Sequence, residues 1–339
     1  GNGLGYNQIV NFVQNHELQT ENDYNRIADQ IDVSCFIDYQ LTEIYVNNRD
    51  WPGNNIKYWN TNKPYSKWRW ILYDTDFGLN LYGYDEHSEN TIEFATETYG
   101  PSWPNPEWST LLLRKMLSNE NFKNQFINRL ADLMNTVFAP EFMNYKLDSI
   151  VAMIRPEIED HKNKWGHSYY EWEYSVDAIY RFNENRPNYM RAHIIDYFGL
   201  SGASEVSLNV SNNTDGNIQI STIVPETYPF RGMYFNNVPI SFKALPKPGY
   251  RFVKWENAST STNNEIILTI NGPTQLKAIF EPVYSDQKAI VINEINYRSH
   301  PDYDSGEWIE LYNNSEQTIN LNGWKISDEQ IYMAYTFTE

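Results

Sequence analysis

The hydrophobic period of this chain changes at Gly199, and that change restricts what the chain can fold into. Before it, apolar residues recur at helical spacing. Ile9, Val10, Phe12 and Val13 form one stripe, Tyr24, Ile27, Ala28 and Ile31 a second, and Phe36, Ile37, Leu41, Ile44 and Tyr45 a third. Phe122, Phe126, Leu130, Leu133, Val137 and Phe138 follow, then Leu147, Ile150, Val151 and Ile154. Such stripes mark helices with one face turned to a core. A last helix is expected over about Pro187 to Phe198, with proline near its start and glycine after its end. The segment Gly199-Leu-Ser-Gly-Ala-Ser204 reads as a linker. Beyond it the runs shorten: Ser207 to Val210, Ile218 to Ser221, Ile240 to Ala244, Phe252 to Trp255, Ile266 to Ile270 and Leu276 to Phe280. Asn-Asn-Thr-Asp-Gly and Asn-Gly-Pro supply turns between them, the pattern of a small β module. The sequence therefore predicts a multidomain α+β chain.

The residues with the most chemistry lie inside the helical part, from Asn47 to Gly78. Asn47-Asn-Arg-Asp-Trp-Pro-Gly-Asn-Asn55 is followed by Lys67-Trp-Arg-Trp-Ile-Leu-Tyr-Asp-Thr-Asp-Phe-Gly78. Lys67 to Tyr73 has strand composition. A strand running on through Asp76 would put Asp74 and Asp76 on one face, roughly 6 to 7 Å apart. Two such carboxylates repel unless a proton or a cation intervenes, and Mg²⁺ with its preference for oxygen ligands suits the pair. Asp50 can then orient or deprotonate a hydroxyl, with Asn54 or Asn55 offering a neutral oxygen to a second ion. The order of Asp50, Asn55 and Asp76-Phe-Gly parallels the catalytic loop and metal segment of protein kinases, although no His-Arg-Asp precedes it. Lys57, Lys67 and Arg69 can approach a phosphate. The plainer alternative is a surface turn rich in Pro, Gly and Asn, a chance Asp-Phe-Gly, and a solvated basic strand face.

The run from Ile37 through Asp50, Asn54 and Asn55 to Trp68, Trp70, Asp74, Asp76 and Gly78 resembles the CotH family of spore-coat-type atypical protein kinases. Asn105-Pro106-Glu107 and the segment Leu111 to Phe138 resemble that family's helical continuation. The resemblance implies a mainly helical kinase-like C-lobe over residues 1–200, with a short β segment. It also implies transfer of phosphate from ATP, with Mg²⁺ or Mn²⁺, to Ser or Thr hydroxyls of a protein substrate. By position Asp50 matches the family's catalytic-loop aspartate and the Asp74/Asp76 pair its metal-binding segment, with no choice made within that pair; Asn54 and Asn55 are carried beside them as metal-ligand candidates. Lys67 and Arg69 are carried as nucleotide-binding candidates. No strand-rich region precedes the first helical stripe, so the chain is expected to hold one lobe of a larger protein and to transfer phosphate poorly by itself.

Pro248-Gly-Tyr-Arg-Phe-Val-Lys-Trp255 resembles the InlB B-repeat, which implies a spacer or adhesive module over 205–282 with Trp255 in its core. Ile292 to Tyr297, Gly306 to Asn314 and Leu321 to Asp328 resemble the start of a lamin-tail domain. This implies a partial immunoglobulin-like β-sandwich over 288–339. Glu294, Glu307 and Glu310 can bind calcium there, or line a solvated strand face. Together these resemblances imply a bacterial protein that is secreted or on the cell surface.

Composition excludes several classes. A net charge of -18 repels nucleic acid and anionic membranes. Cys35 is the single cysteine, which rules out an intrachain disulfide and a thiolate zinc cluster; it reads as an inert core thiol. No run is long and apolar enough to span a membrane. The Walker phosphate loop, His-Glu-x-x-His and the Gly-x-Ser-x-Gly elbow are all missing. Two classes stay open: an exported kinase, and a catalytically silent surface protein whose Tyr, Trp and Asn side chains contact glycan or protein.

Overall fold

The computed structural model describes residues 4–61, 63, 65–83, 85–99, 106–166, 169–247, 249–282, 289–297, 306–315, 318–327 and 334–338. Asn105, Pro248 and Asp328 of the sequence motifs lie outside them. The first part is helical: α1 (Leu4–Asn15), α2 (Glu21–Ala28), α3 (Val33–Val46), α4 (Thr91–Thr96), α5 (Glu107–Leu117), α6 (Glu120–Met134), α7 (Pro140–Ile154), α8 (Ile158–Trp165) and α9 (Tyr169–Phe198). A small hairpin, β1 (Lys57–Trp59) and β2 (Arg69–Ile71), sits between α3 and α4.

Caps explain several of the boundaries. Thr20 accepts from the Asp23 N–H at the start of α2, Asp32 from Cys35 at α3, Asn90 from Glu93 at α4 and Asn119 from Phe122 at α6. Asn47 closes α3 in the left-handed conformation, with φ of 59°, which asparagine tolerates better than most residues. Cys35 is half-buried, its thiol 3.5 Å from the Trp70 carbonyl.

The last helix departs from expectation. It starts at Tyr169 and carries Pro187 in its interior instead of near its start. Proline removes one helical hydrogen bond and so reads as a boundary in sequence. Here Ala178, Phe182, Arg186, Met190 and Ile194 recur every fourth residue and are all buried, and this packing holds the helix through the proline.

The second part is a two-sheet module of β3 (Ala203–Val210), β4 (Gly216–Ile220), β5 (Phe230–Phe235), β6 (Pro239–Pro246), β7 (Tyr250–Asn257), β8 (Glu265–Thr269) and β9 (Thr274–Pro282). The sheet orders are β5-β3-β9-β7 and β4-β6-β8, with β3 parallel to β9 and the other pairs antiparallel. Trp255 is fully buried, and its indole N–H donates to the Asn263 carbonyl at 2.8 Å. The third part pairs β10 (Ile290–Asn296) with β11 (Trp308–Asn313), and β12 (Lys325–Ile326) with β13 (Tyr335–Thr336).

The segment read as a linker is a tight turn. Gly199 takes φ of 63°, the Leu200 N–H reaches back to the Ile195 carbonyl at 2.8 Å, and β3 begins at Ala203. Helix α6 then seats directly on the β module. Asp132 accepts from Thr222 N–H at 2.9 Å, Thr222 Oγ1 at 2.7 Å and Tyr234 OH at 2.8 Å. The Asn135 amide donates to the Met233 carbonyl at 3.0 Å and accepts from its N–H at 2.9 Å. Glycine at position 232 leaves room for this approach; a Cβ there would stand 2.9 Å from the Asn135 amide nitrogen, and the amide would have to shift. One hydrophobic core runs from Ile9 in α1 to Phe280 in β9.

Candidate active site

The connection from α3 to β1 carries Asn48, Asp50, Asn54 and Asn55, and the chain leaving β2 carries Asp74 and Asp76. These two segments run side by side. The Arg49 N–H donates to the Phe77 carbonyl at 3.4 Å, and the Leu79 N–H to the Val46 carbonyl at 2.9 Å. Gly78 makes that approach possible: a Cβ would meet the Val46 carbonyl oxygen at 2.5 Å. The hairpin is tied to α3 from the other end, where Trp68 N–H donates to Gln30 and Trp68 carbonyl accepts from Asp32.

Asp50 is buried, with 9% exposure, and both of its carboxylate oxygens are engaged. Asn54 Nδ2 donates to Oδ1 at 2.9 Å and Asn55 Nδ2 to Oδ2 at 2.8 Å. The amide nitrogens face the aspartate, which leaves the amide oxygens for other partners; that of Asn55 accepts from Tyr73 OH at 3.3 Å. Asn55 holds φ of 51°, and Trp51 anchors the loop by full burial and a 2.9 Å hydrogen bond to Tyr39 OH. A cavity of about 460 Å³ lies against this loop, lined by Trp51 to Ile56 together with Tyr6, Tyr39, Trp70 and Trp108.

The expected strand through Asp76 does not form. β2 ends at Ile71, Asp74 takes φ of 59° and Asp76 lies in a turn. A left-handed residue breaks the alternation on which the i, i+2 argument depends. Asp74 and Asp76 nevertheless meet through their side chains. Desolvation, then the charge and hydrogen bond of Asp76, then the charge of Asp50 raise the Asp74 carboxyl above the usual carboxylate range. Lys57, stacked over the Tyr73 ring at 3.7 Å, opposes the shift. The three aspartates thus share one field.

Lys67 and Arg69 are engaged elsewhere. Lys67 Nζ donates to the Ala28 carbonyl at 2.8 Å, and Arg69 pairs with Asp32, the cap of α3, at 2.6 Å. Lys57 is the basic side chain whose field reaches Asp74. Among the described residues no three His, Cys, Asp or Glu side chains gather to hold a metal by themselves. A metal at Asp74 and Asp76 would therefore need amide, solvent or phosphate oxygens as well. In β10 and β11, Glu294 faces Glu310 across the ladder.

Three residues around the site had no signal in the spacing argument. Asn48 is fully buried; its Nδ2 donates to Glu43 Oε2 at 2.8 Å and to the Asp74 carbonyl at 3.3 Å, while its Oδ1 accepts from the Asp50 N–H at 3.0 Å. Glu43 is fully buried in α3, and burial pushes its carboxyl up to about 7 against the opposing Asn48 hydrogen bond. Arg186 of α9, also fully buried, donates to the carbonyls of Ile44, Tyr45, His87 and Glu89 and to Thr91 Oγ1. Thr91 Oγ1 in turn donates to Asn47 Oδ1 at 2.6 Å. Asn48 lies inside the quoted motif and was within reach of sequence reading, whereas Glu43 and Arg186 look like helix surface charges.

A helical domain holding an Asp-amide loop against an Asp-x-Asp-Phe-Gly segment defines a kinase-like class. The CotH kinase protein family matches residues 5–190, more than half of the chain, and the chain belongs to that family. The divergent InlB B-repeat domain matches residues 206–284 and the Lamin Tail Domain residues 284–339. No curated protein and no solved structure matches the chain. Among the described residues no helix is long and apolar enough to cross a membrane.

Proposed function

We propose that the helical domain transfers phosphate from ATP to Ser or Thr hydroxyls of a protein substrate, on a bacterial protein exported to the cell surface. The observation that carries this reading is the convergence of Asp50 with Asp74 and Asp76 on two adjoining segments, in a shared field that raises Asp74. Carboxylates crowded in this way favour a cation between them. Asp74, Asp76 and an amide oxygen of Asn54 or Asn55 would hold Mg²⁺ or Mn²⁺, which neutralises charge on the transferred phosphate. Asp50 takes the acceptor hydroxyl. Each of its oxygens accepts one amide hydrogen and keeps further acceptor capacity, so the hydroxyl proton has a carboxylate to bond to, with the aspartate oriented by two neutral donors. Lys57, rather than Lys67 or Arg69, is the basic group best placed toward the phosphates.

The test is transfer of labelled phosphate from ATP to casein in the presence of Mn²⁺ or Mg²⁺, with Asp50→Ala and Asp76→Ala beside the wild type. Loss of one carboxylate from such a set is expected to lower the rate by about a hundred-fold or more. Activity retained in both variants removes the mechanism.

A second reading, a binding protein without catalysis, is favoured by one observation. A cleft of about 490 Å³ opens between the helices and the β module, lined by Asn121, Asn124, Gln125, Asn128, Ser221 and Thr222. The ion pair of Asp38 and Arg129 also lines it, and these amide, hydroxyl and paired charged groups suit a glycan. Binding of neutral oligosaccharide without ATP turnover selects this reading.

A further inference from the structure

We infer that Glu43 is a positioning residue for the candidate site: through Asn48 it fixes the separation and register of the Asp50 loop and the Asp74 segment. The consequence for catalysis rests on the kinase reading above; the positioning itself does not. Asn48 bonds to both segments at their buried end, as Asn55 does further out through Asp50 and Tyr73, and the Asn48 amide has two chemically different ends. Its oxygen faces a group that can only donate, the Asp50 backbone N–H at 3.0 Å. Its nitrogen faces two oxygens that accept, Glu43 Oε2 at 2.8 Å and the Asp74 carbonyl at 3.3 Å. A reversed amide would set oxygen against oxygen twice and N–H against N–H once, so the network admits one orientation. Glu43 makes the shorter of the two nitrogen contacts, and a charged acceptor gives the stronger bond.

The rest of Glu43's environment agrees with this role. The side chain is fully buried, and its second oxygen, Oε1, has no hydrogen-bond partner among the described residues. A buried carboxylate half satisfied is a destabilising choice at a helix position where leucine or glutamine would pack. Such a departure from local consistency is expected where a site needs it. The strain is concentrated nearby: Asn47 and Asp74, which flank the lock, both hold left-handed backbone conformations.

The experiment compares wild type, Glu43→Gln and Glu43→Leu at pH 8 by ¹H–¹⁵N spectroscopy, following the Asn48 side-chain amide and the backbone amides of Asp50 and Asp74 to Phe77. Glutamine keeps an acceptor oxygen and the shape; leucine keeps only the bulk. The expected result is that Glu43→Leu abolishes the exchange protection of the Asn48 amide and shifts both segments together, while Glu43→Gln retains the wild-type pattern. In parallel, Mn²⁺ affinity falls about ten-fold in Glu43→Leu and is kept within a few-fold in Glu43→Gln, the effect usual for a residue that orients ligands. Segments unmoved in Glu43→Leu, or glutamine and leucine variants that behave alike, overturn the inference. A wild type that binds no Mn²⁺ defeats the metal reading alone, and the spectra then decide the positioning. Should Glu43→Leu not fold, Asn48→Ala replaces it: joint movement of Asp50 and Asp74 supports the lock, and movement of Asp50 alone overturns it.

Discussion

Glu43 shows how a single burial event writes a pH dependence into the stability of the whole domain. Its carboxyl titrates at about 7 in the folded protein against an ordinary value of 4.5. Between these values the folded state holds a proton that the unfolded chain has released. Stability contributed by the protonated form is therefore fully present below about pH 4.5 and is lost as pH rises through about 7. The loss amounts to about 3 kcal/mol once complete. Glutamine carries no such charge. Glu43→Gln is thus expected to match the wild type near pH 4.5 and to exceed it by up to about 3 kcal/mol at pH 8. Urea denaturation of both proteins at the two pH values measures this, and an equal difference at both would refute it. The same substitution leaves the Asn48 orientation intact, so stability and positioning separate cleanly in one variant.

At the scale of elements, the site is assembled by helix ends and not by a strand running through Asp76, as the sequence suggested. Asn47 terminates α3 in a left-handed turn, Gly78 lets the returning chain touch the Val46 carbonyl, and Arg186 binds α9 to the last turn of α3 and to the segment before α4. Helical stripes, most of the module's strands and the loop residues Asp50, Asn54 and Asn55 were legible because each rests on local periodicity or local turn chemistry. The partners of Lys67 and Arg69, the left-handed Asp74 and the burial of Glu43 were not, since each depends on which element packs beside it. Helix α3 is the clearest case: nine of its residues, Gln40 and Glu43 among them, are buried because neighbours cover it on several sides. No single-face pattern reports that. Strand β5 escaped for a related reason, its Gly232 reading as a weak strand residue when it is the contact point for Asn135. Arg186 makes five hydrogen bonds from a planar guanidinium that burial pushes down to about 10. Lysine has three donors and no plane. Arg186→Lys is expected to destabilise the domain by about 2–4 kcal/mol through carbonyls left without donors, read as a lowered urea midpoint with unchanged slope.

For the whole molecule, the decisive feature is that the CotH and B-repeat parts share one core instead of hanging on a tether. A B-repeat in the role of spacer would meet its neighbour through few contacts. Here Asp132 of α6 accepts three hydrogen bonds from the β module, two of them from Thr222, whose hydroxyl Arg129 also reaches. Burial raises the Asp132 carboxyl above its ordinary value, and the donors of the module that surrounds it oppose that shift. Neither side satisfies its polar groups alone. The two parts should then unfold together. Hydrogen exchange followed by mass spectrometry at rising urea is expected to show α6 and strands β5 and β6 losing protection at one common concentration. Asp132→Ala leaves the Thr222 N–H and Tyr234 OH without their acceptor, at a cost of about 3 kcal/mol, and should lower both midpoints by the same amount. Asp132→Asn, which keeps one acceptor oxygen, should fall between. Two transitions in the wild type, or a variant that shifts only the β module, would mean that the shared core does not couple them and that the B-repeat acts as a separate spacer after all.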